Sequence, residues 1–124
     1  MKTILVITAF LIISLSPVAF SHEGDLDEFG GHFVYGNNGN PNPTAYHFHK
    51  DKRAKDKKTV DTLLRSARVN RRKKDYERAA MLYYLANDYE NSIRYFKRAS
   101  RDWRNPRVGF AGARQAAVER VLKK

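Results

Sequence analysis

From Thr59 onward the chain repeats apolar residues at helical spacing. Val60, Leu63, Leu64 and Ala67 fall at i, i+3, i+4 and i+7, positions that share one face of an α-helix. The cationic run Arg71-Arg72-Lys73-Lys74 closes this first helix, because positive side chains favour the carbonyl end. Asp75 can cap the next, DYERAAMLYYLA, in which Ala79 to Ala86 is apolar all round. A helix without a polar face belongs at the centre of a core. Asp88 caps a third helix, with Tyr89, Ile93, Phe96 and Ala99 on one side. Trp103 follows, Asn105-Pro106 breaks the pattern, and Pro106 can open a fourth helix that carries Phe110, Ala113, Ala117 and Val121. The expected fold class is therefore mainly α: an antiparallel bundle of about four helices over residues 59–124, joined by very short turns.

Upstream the pattern differs twice. Lys2 precedes an apolar stretch of ten residues from Ile4 to Ile13, interrupted only by Thr8. Ser14, Ser16 and Pro17 then break it, and Ala19 and Ser21 place small residues where a signal peptidase needs them. This predicts a signal peptide over 1–21, cleavage after Ser21, and a secreted or periplasmic protein. A membrane anchor is the competing reading, but a spanning helix needs about 20 apolar residues. The mature chain is expected to hold no transmembrane helix.

Residues 22–49 show neither period. Gly24, Gly30, Gly31, Gly36 and Gly39 alternate with Asn37, Asn38, Asn40 and Asn42, and Pro41 and Pro43 bar a helix. An irregular arm is expected, with short strands at His32–Tyr35 and Ala45–His49. KDKRAKDKK, residues 50–58, reads as a basic linker or a frayed first helical turn.

AAMLYYLANDYENSIRYFKRA, residues 79–99, resembles one tetratricopeptide unit. Ala80 stands where two helices approach closely, Tyr83 fills the groove, Asn87-Asp88-Tyr89 makes the turn, and Phe96 and Ala99 pack back. Ser92 departs from the family's alanine, and Pro106 lies late for its terminating proline. The resemblance, over about residues 75–106, implies a short helical stack with the flanking helices as caps and a groove for a protein or peptide partner. A plain four-helix bundle is the alternative.

Charge divides the chain at the same boundary. Residues 22–49 carry four acids and no Lys or Arg, whereas residues 50–124 carry 23 cations and nine acids, a net of +14. Such an excess exceeds what solubility needs, and it suits an anionic partner: lipid headgroups, lipopolysaccharide or extracellular nucleic acid. The interleaved Tyr76, Tyr83, Tyr84, Tyr89, Tyr95 and Trp103 fit a nucleic-acid binder, but their helical spacing assigns most of them to the core. The absence of cysteine rules out both disulfides and thiolate metal sites.

All four histidines, His22, His32, His47 and His49, lie in the acidic, cation-free segment. In an extended strand His47 and His49 project to one face, and Gly30-Gly31 allows His32 to return to the same point. With Asp25 and Asp27 they form a candidate donor set for a zinc or copper ion. If cleavage follows Ser21, the free amine and ring of His22 could also form a copper brace. The competing reading is a flexible arm whose histidines do nothing specific.

His22-Glu23-Gly24, Asp27, Gly30-Gly31-His32 and Tyr46-His47-Phe48-His49 together resemble the short secreted YHYH domain. Phe48 replaces its second tyrosine, and an Asn/Gly/Pro insert lengthens its middle. The resemblance covers residues 22–49 and implies a metal site without fixing the ion. A Gly-Gly-His followed by His-x-His also suggests a metal-dependent nuclease finger, but the sequence supplies no frame to orient a base. The function expected is thus a non-catalytic exported binding protein: a histidine metal site on a basic helical body. The alternative is a nucleic-acid-binding protein or an accessory of a secreted nuclease.

Overall fold

The computed structural model describes residues 25–124; the expected leader, its cleavage site and His22 lie outside them. The element order is β1 (Gly31–Val34), β2 (Ala45–Phe48), α1 (Lys57–Arg72), α2 (Tyr76–Leu85), α3 (Tyr89–Arg101) and α4 (Val108–Leu122). Over the described residues the chain is mainly helical, with one two-stranded antiparallel sheet.

Among the described residues, carboxylate caps set three of the four helix starts. Asp56 accepts from the N–H of Thr59, Asp75 from that of Arg78 and Asp88 from that of Asn91, each satisfying a donor the helix leaves open. The first helix thus begins two residues before Thr59, inside the expected linker. The C-terminal ends of α1 and α2 share one design. Lys74 and Asn87 both adopt a left-handed backbone, with φ of 62°. After α1 the N–H of Lys74 reaches Arg71 and that of Asp75 reaches Asn70; after α2 the N–H of Asn87 reaches Tyr84 and that of Asp88 reaches Tyr83. Both are Schellman closures. In each, the aspartate that completes one helix end also caps the next helix.

Helix α2 is central, packing on α1, α3 and α4. Ala79 to Ala86 are all buried, as a helix apolar on every side requires. Around them the core gathers Ala67 of α1, Phe96 and Ala99 of α3, and Ala111 and Val118 of α4. Tyr83 stacks on Tyr95, and Tyr95 on Tyr76, both pairs within 12° of parallel. Ser92 is fully buried on the α3 face where a tetratricopeptide unit has alanine, and its hydroxyl lacks a partner among the described residues.

The segment before the helices docks on them. Phe29 is 3% exposed and belongs to the main core. Strand β2 lies on α4, where Tyr46 packs with Ala113 and Ala117. The charged stretch after β2 is tied down too: the N–H of Ala54 donates to Leu85, its carbonyl accepts from Asn87, and Arg53 donates to Tyr89. Among the described residues, no helix is long and apolar enough to cross a membrane.

Candidate functional site

The hairpin presents two chemically distinct faces because side chains alternate along a strand. Its register pairs Gly31 with Phe48, His32 with His47, Phe33 with Tyr46 and Val34 with Ala45. Phe33, Tyr46 and Phe48 therefore share one side and the imidazoles the other.

Both glycines before His32 are structurally required. Gly30 has φ of +86°, and its carbonyl accepts from the N–H groups of His49 and Lys50. A Cβ on Gly31 would collide with the carbonyl of His47 and the ring of Tyr46. This close approach places His32 against the other strand. Its ring centroid lies 6.0 Å from that of His47 and 4.9 Å from that of His49, on which it stacks at 28°. Three of the four expected histidine ligands are thus brought together.

The geometry can be compared with a metal site. A Zn–N bond of about 2.0 Å, plus roughly 1.1 Å from nitrogen to ring centre, places two imidazoles on a tetrahedral ion about 5 Å apart. The His32–His49 separation of 4.9 Å matches that value, and the His32–His47 separation of 6.0 Å is longer. Ring orientation differs: the rings are stacked or tilted, and among the described residues no three His, Asp or Glu form a ready ligand group. Convergence requires rotation about side-chain torsions, which is easiest for the exposed His47 and His49. The Nε2 atom of His32 is buried and lacks a hydrogen-bond partner among the described residues. A buried orphan nitrogen costs about 1–3 kcal/mol, and occupancy by a ligand would remove that cost.

The carboxylates expected to complete the set are placed otherwise. Asp25 is exposed. Asp27 accepts from the Tyr46 hydroxyl at 2.8 Å, from Arg114 at 2.8 Å, and from the N–H groups of Phe29 and Gly31. It is committed to the aromatic side of the hairpin, away from the imidazoles. Coulombic attraction to the buried Arg114 guanidinium explains this placement.

Arg114 is the node that positions the hairpin. Only 7% exposed, it donates to Asp27 and to Glu77, which is itself 1% exposed and also lies 3.5 Å from Arg107. Phe29, Phe33 and Tyr46 surround its guanidinium, with ring centroids 4.7, 4.6 and 5.2 Å away. Aromatic faces suit a cation, and the planar guanidinium tolerates such an enclosure better than an ammonium. Burial pushes the Tyr46 hydroxyl well above its ordinary range, and the neighbouring Asp27 adds to the shift, so Tyr46 stays a donor. Burial likewise raises the Glu77 carboxyl, against the pull of Arg114 and Arg107.

Nothing in the spacing of Glu77 or Arg114 marks them in the sequence. The only signal is a charge placed next to small apolar residues of a helix: Glu77 before Ala79-Ala80, and Arg114 after Ala113. No family model, no curated protein and no solved structure matches this chain.

Proposed function

We propose that this chain is an exported, non-catalytic binding protein that holds a zinc or copper ion on the histidine face of its hairpin and carries it on a basic, tetratricopeptide-like helical body. The observation that carries this reading is the orphaned Nε2 of His32 beside two further imidazoles at 4.9 and 6.0 Å. Imidazole nitrogen suits both ions, and no cation intervenes between the three rings in sequence until Lys50. His32, His47 and His49 would supply the protein ligands, leaving a position for water, for a partner's donor or for His22. The YHYH-like order of residues 22–49 favours the same reading, and the helical body would offer its surface to a protein or peptide partner or to an anionic surface.

The test is native mass spectrometry and calorimetry on the full chain without a purification tag. One zinc or copper ion per chain is expected, with affinity reduced at least about tenfold by His32→Ala or by the pair His47→Ala and His49→Ala. Absence of binding at micromolar ion, or equal binding by the triple alanine variant, would rule the site out.

A further inference from the structure

A second feature lies on the helical body and does not involve the histidines. Trp103, the only tryptophan in the chain, is 84% exposed in the turn between α3 and α4. Beside it opens a cleft of about 450 Å³ lined by Lys74, Tyr76, Arg98, Arg101, Asp102, Trp103 and Arg104. A second hollow of about 310 Å³ shares Lys74, Asp102 and Arg104 and adds Lys73 and Arg107. Basic side chains therefore run continuously from the α1–α2 turn to the start of α4.

The two carboxylates along this path are already occupied. Asp102 pairs with Arg104 at 3.7 Å and accepts its backbone N–H, and Asp75 caps α2. Arg98, Arg101 and Lys74 have no carboxylate partner among the described residues, so their charge is open to a ligand. Planar groups accompany the charges. The guanidinium of Arg98 lies 4.8 Å from the ring centre of Tyr76, and that of Arg104 lies 5.7 Å from the ring centre of Trp103.

We propose that this cleft binds single-stranded nucleic acid, with an unpaired base stacked on Trp103 and backbone phosphates held by Arg98, Arg101 and Lys74. Aromatic platforms set among cations are what an unpaired strand requires, since every base has a stackable face and every linkage carries a negative charge. Guanidinium groups favour phosphate through paired, planar hydrogen bonds. A membrane surface fits less well, because one tryptophan among charged residues makes no apolar face to insert. An acidic peptide would use the cations but leave the indole in water. A duplex keeps its bases stacked and cannot offer one to Trp103.

The experiment uses a labelled 15-mer of deoxythymidine, its duplex with deoxyadenosine, polyglutamate and vesicles containing anionic lipid. The lone indole reports directly: the single strand is expected to quench Trp103 fluorescence saturably and to bind more tightly than the duplex. Trp103→Ala, read by anisotropy of the label, is expected to weaken binding by about 5- to 150-fold, as loss of one stacked base does. Its far-ultraviolet dichroism should stay unchanged because the side chain is exposed. Arg101→Ala is expected to reduce the slope of log affinity against log salt by about 0.7. Unaltered affinity in Trp103→Ala, equal binding of the duplex, or an equal response to polyglutamate or vesicles overturns the proposal. The metal reading is unaffected by any of these results, since it rests on other residues.

Discussion

Arg114 donates to Asp27 across 2.8 Å although 87 residues separate them in the chain. The contact joins the turn before β1 to the middle of α4, so the hairpin and the helices share one polar anchor as well as one apolar core. On its other side Arg114 donates to Glu77 of α2. Two carboxylates therefore compensate one buried cation. Removal of any one member leaves the others in a medium that penalises unpaired charge.

Arg114→Ala is accordingly expected to cost about 3–5 kcal/mol, because it takes the closest cation from the buried Glu77 and from Asp27 and leaves Glu77 only the exposed Arg107. Asp27→Asn keeps the shape and part of the hydrogen bonding, and should cost about 1–3 kcal/mol. Urea unfolding monitored by circular dichroism checks both. An Arg114→Ala loss below that of Asp27→Asn would show that the node is not the anchor described.

Glu77 gives the fold a definite acid response. Its carboxyl lies above the reference value of 4.5 because burial disfavours the ion. The folded state therefore binds this proton more tightly than the unfolded chain does. Its contribution is fully present below pH 4.5 and is lost as pH rises through the folded value. Glu77→Gln removes that proton exchange and leaves Asp27 as the carboxylate paired with Arg114 at every pH. The stability of the native protein relative to Glu77→Gln should thus decline from pH 4 toward neutrality. Paired denaturation series at several pH values measure this difference.

Gly31→Ala should be costly for a steric reason. The added methyl would meet the carbonyl of His47 and the Tyr46 ring, and the strands would have to part. A loss of about 1–3 kcal/mol is expected, as for other overpacked sites. Gly39→Ala is the control: nothing lies within 4 Å of its added carbon, so only the strain of its φ of +71° remains. If the two variants proved equally stable, the close approach of the strands would be wrong.

Lys74→Gly should stabilise the protein by about 0.5–1 kcal/mol, because glycine carries no penalty for the left-handed backbone that ends α1. Asn87→Gly should gain less, since Asn87 also donates its side chain to Ala54. Thermal melts of the two variants test the ranking.

Ser92→Ala tests the core of the α2–α3 pair. The hydroxyl is fully buried without a partner among the described residues, so its removal should stabilise by about 1 kcal/mol. A loss in the same measurement would indicate that the hydroxyl is satisfied in solution.

The sequence revealed what depends on local regularity. The helical period from Val60, the all-apolar run Ala79–Ala86, and the caps at Asp75 and Asp88 all reflect interactions within a few residues, and each appears in the fold. The strands expected at 32–35 and 45–49 form at Gly31–Val34 and Ala45–Phe48. The approach of His32 to His47 and His49 followed from alternation plus the flexible glycines. Asp27 was not legible in its actual role, because an acid near histidines looks the same whether it faces them or an arginine 87 residues on. Arg114 and Glu77 were hidden for the same reason: nothing local distinguishes a buried charge from a solvated one. Trp103 fell within a helical rhythm of aromatics, and only the turn after α3 turns it outward.

The caged guanidinium has a consequence for the imidazoles it never touches. In a two-residue rhythm, a slip of one position exchanges the faces of a strand. Were β2 to shift by one, His47 and His49 would turn toward α4, and Tyr46 and Phe48 would turn to water. Arg114 admits only the aromatic face, since it needs the rings around it and the tyrosine hydroxyl beside Asp27. The helix thus works as a keyway: it accepts the hairpin in one setting, and in that setting the three imidazoles share the opposite face.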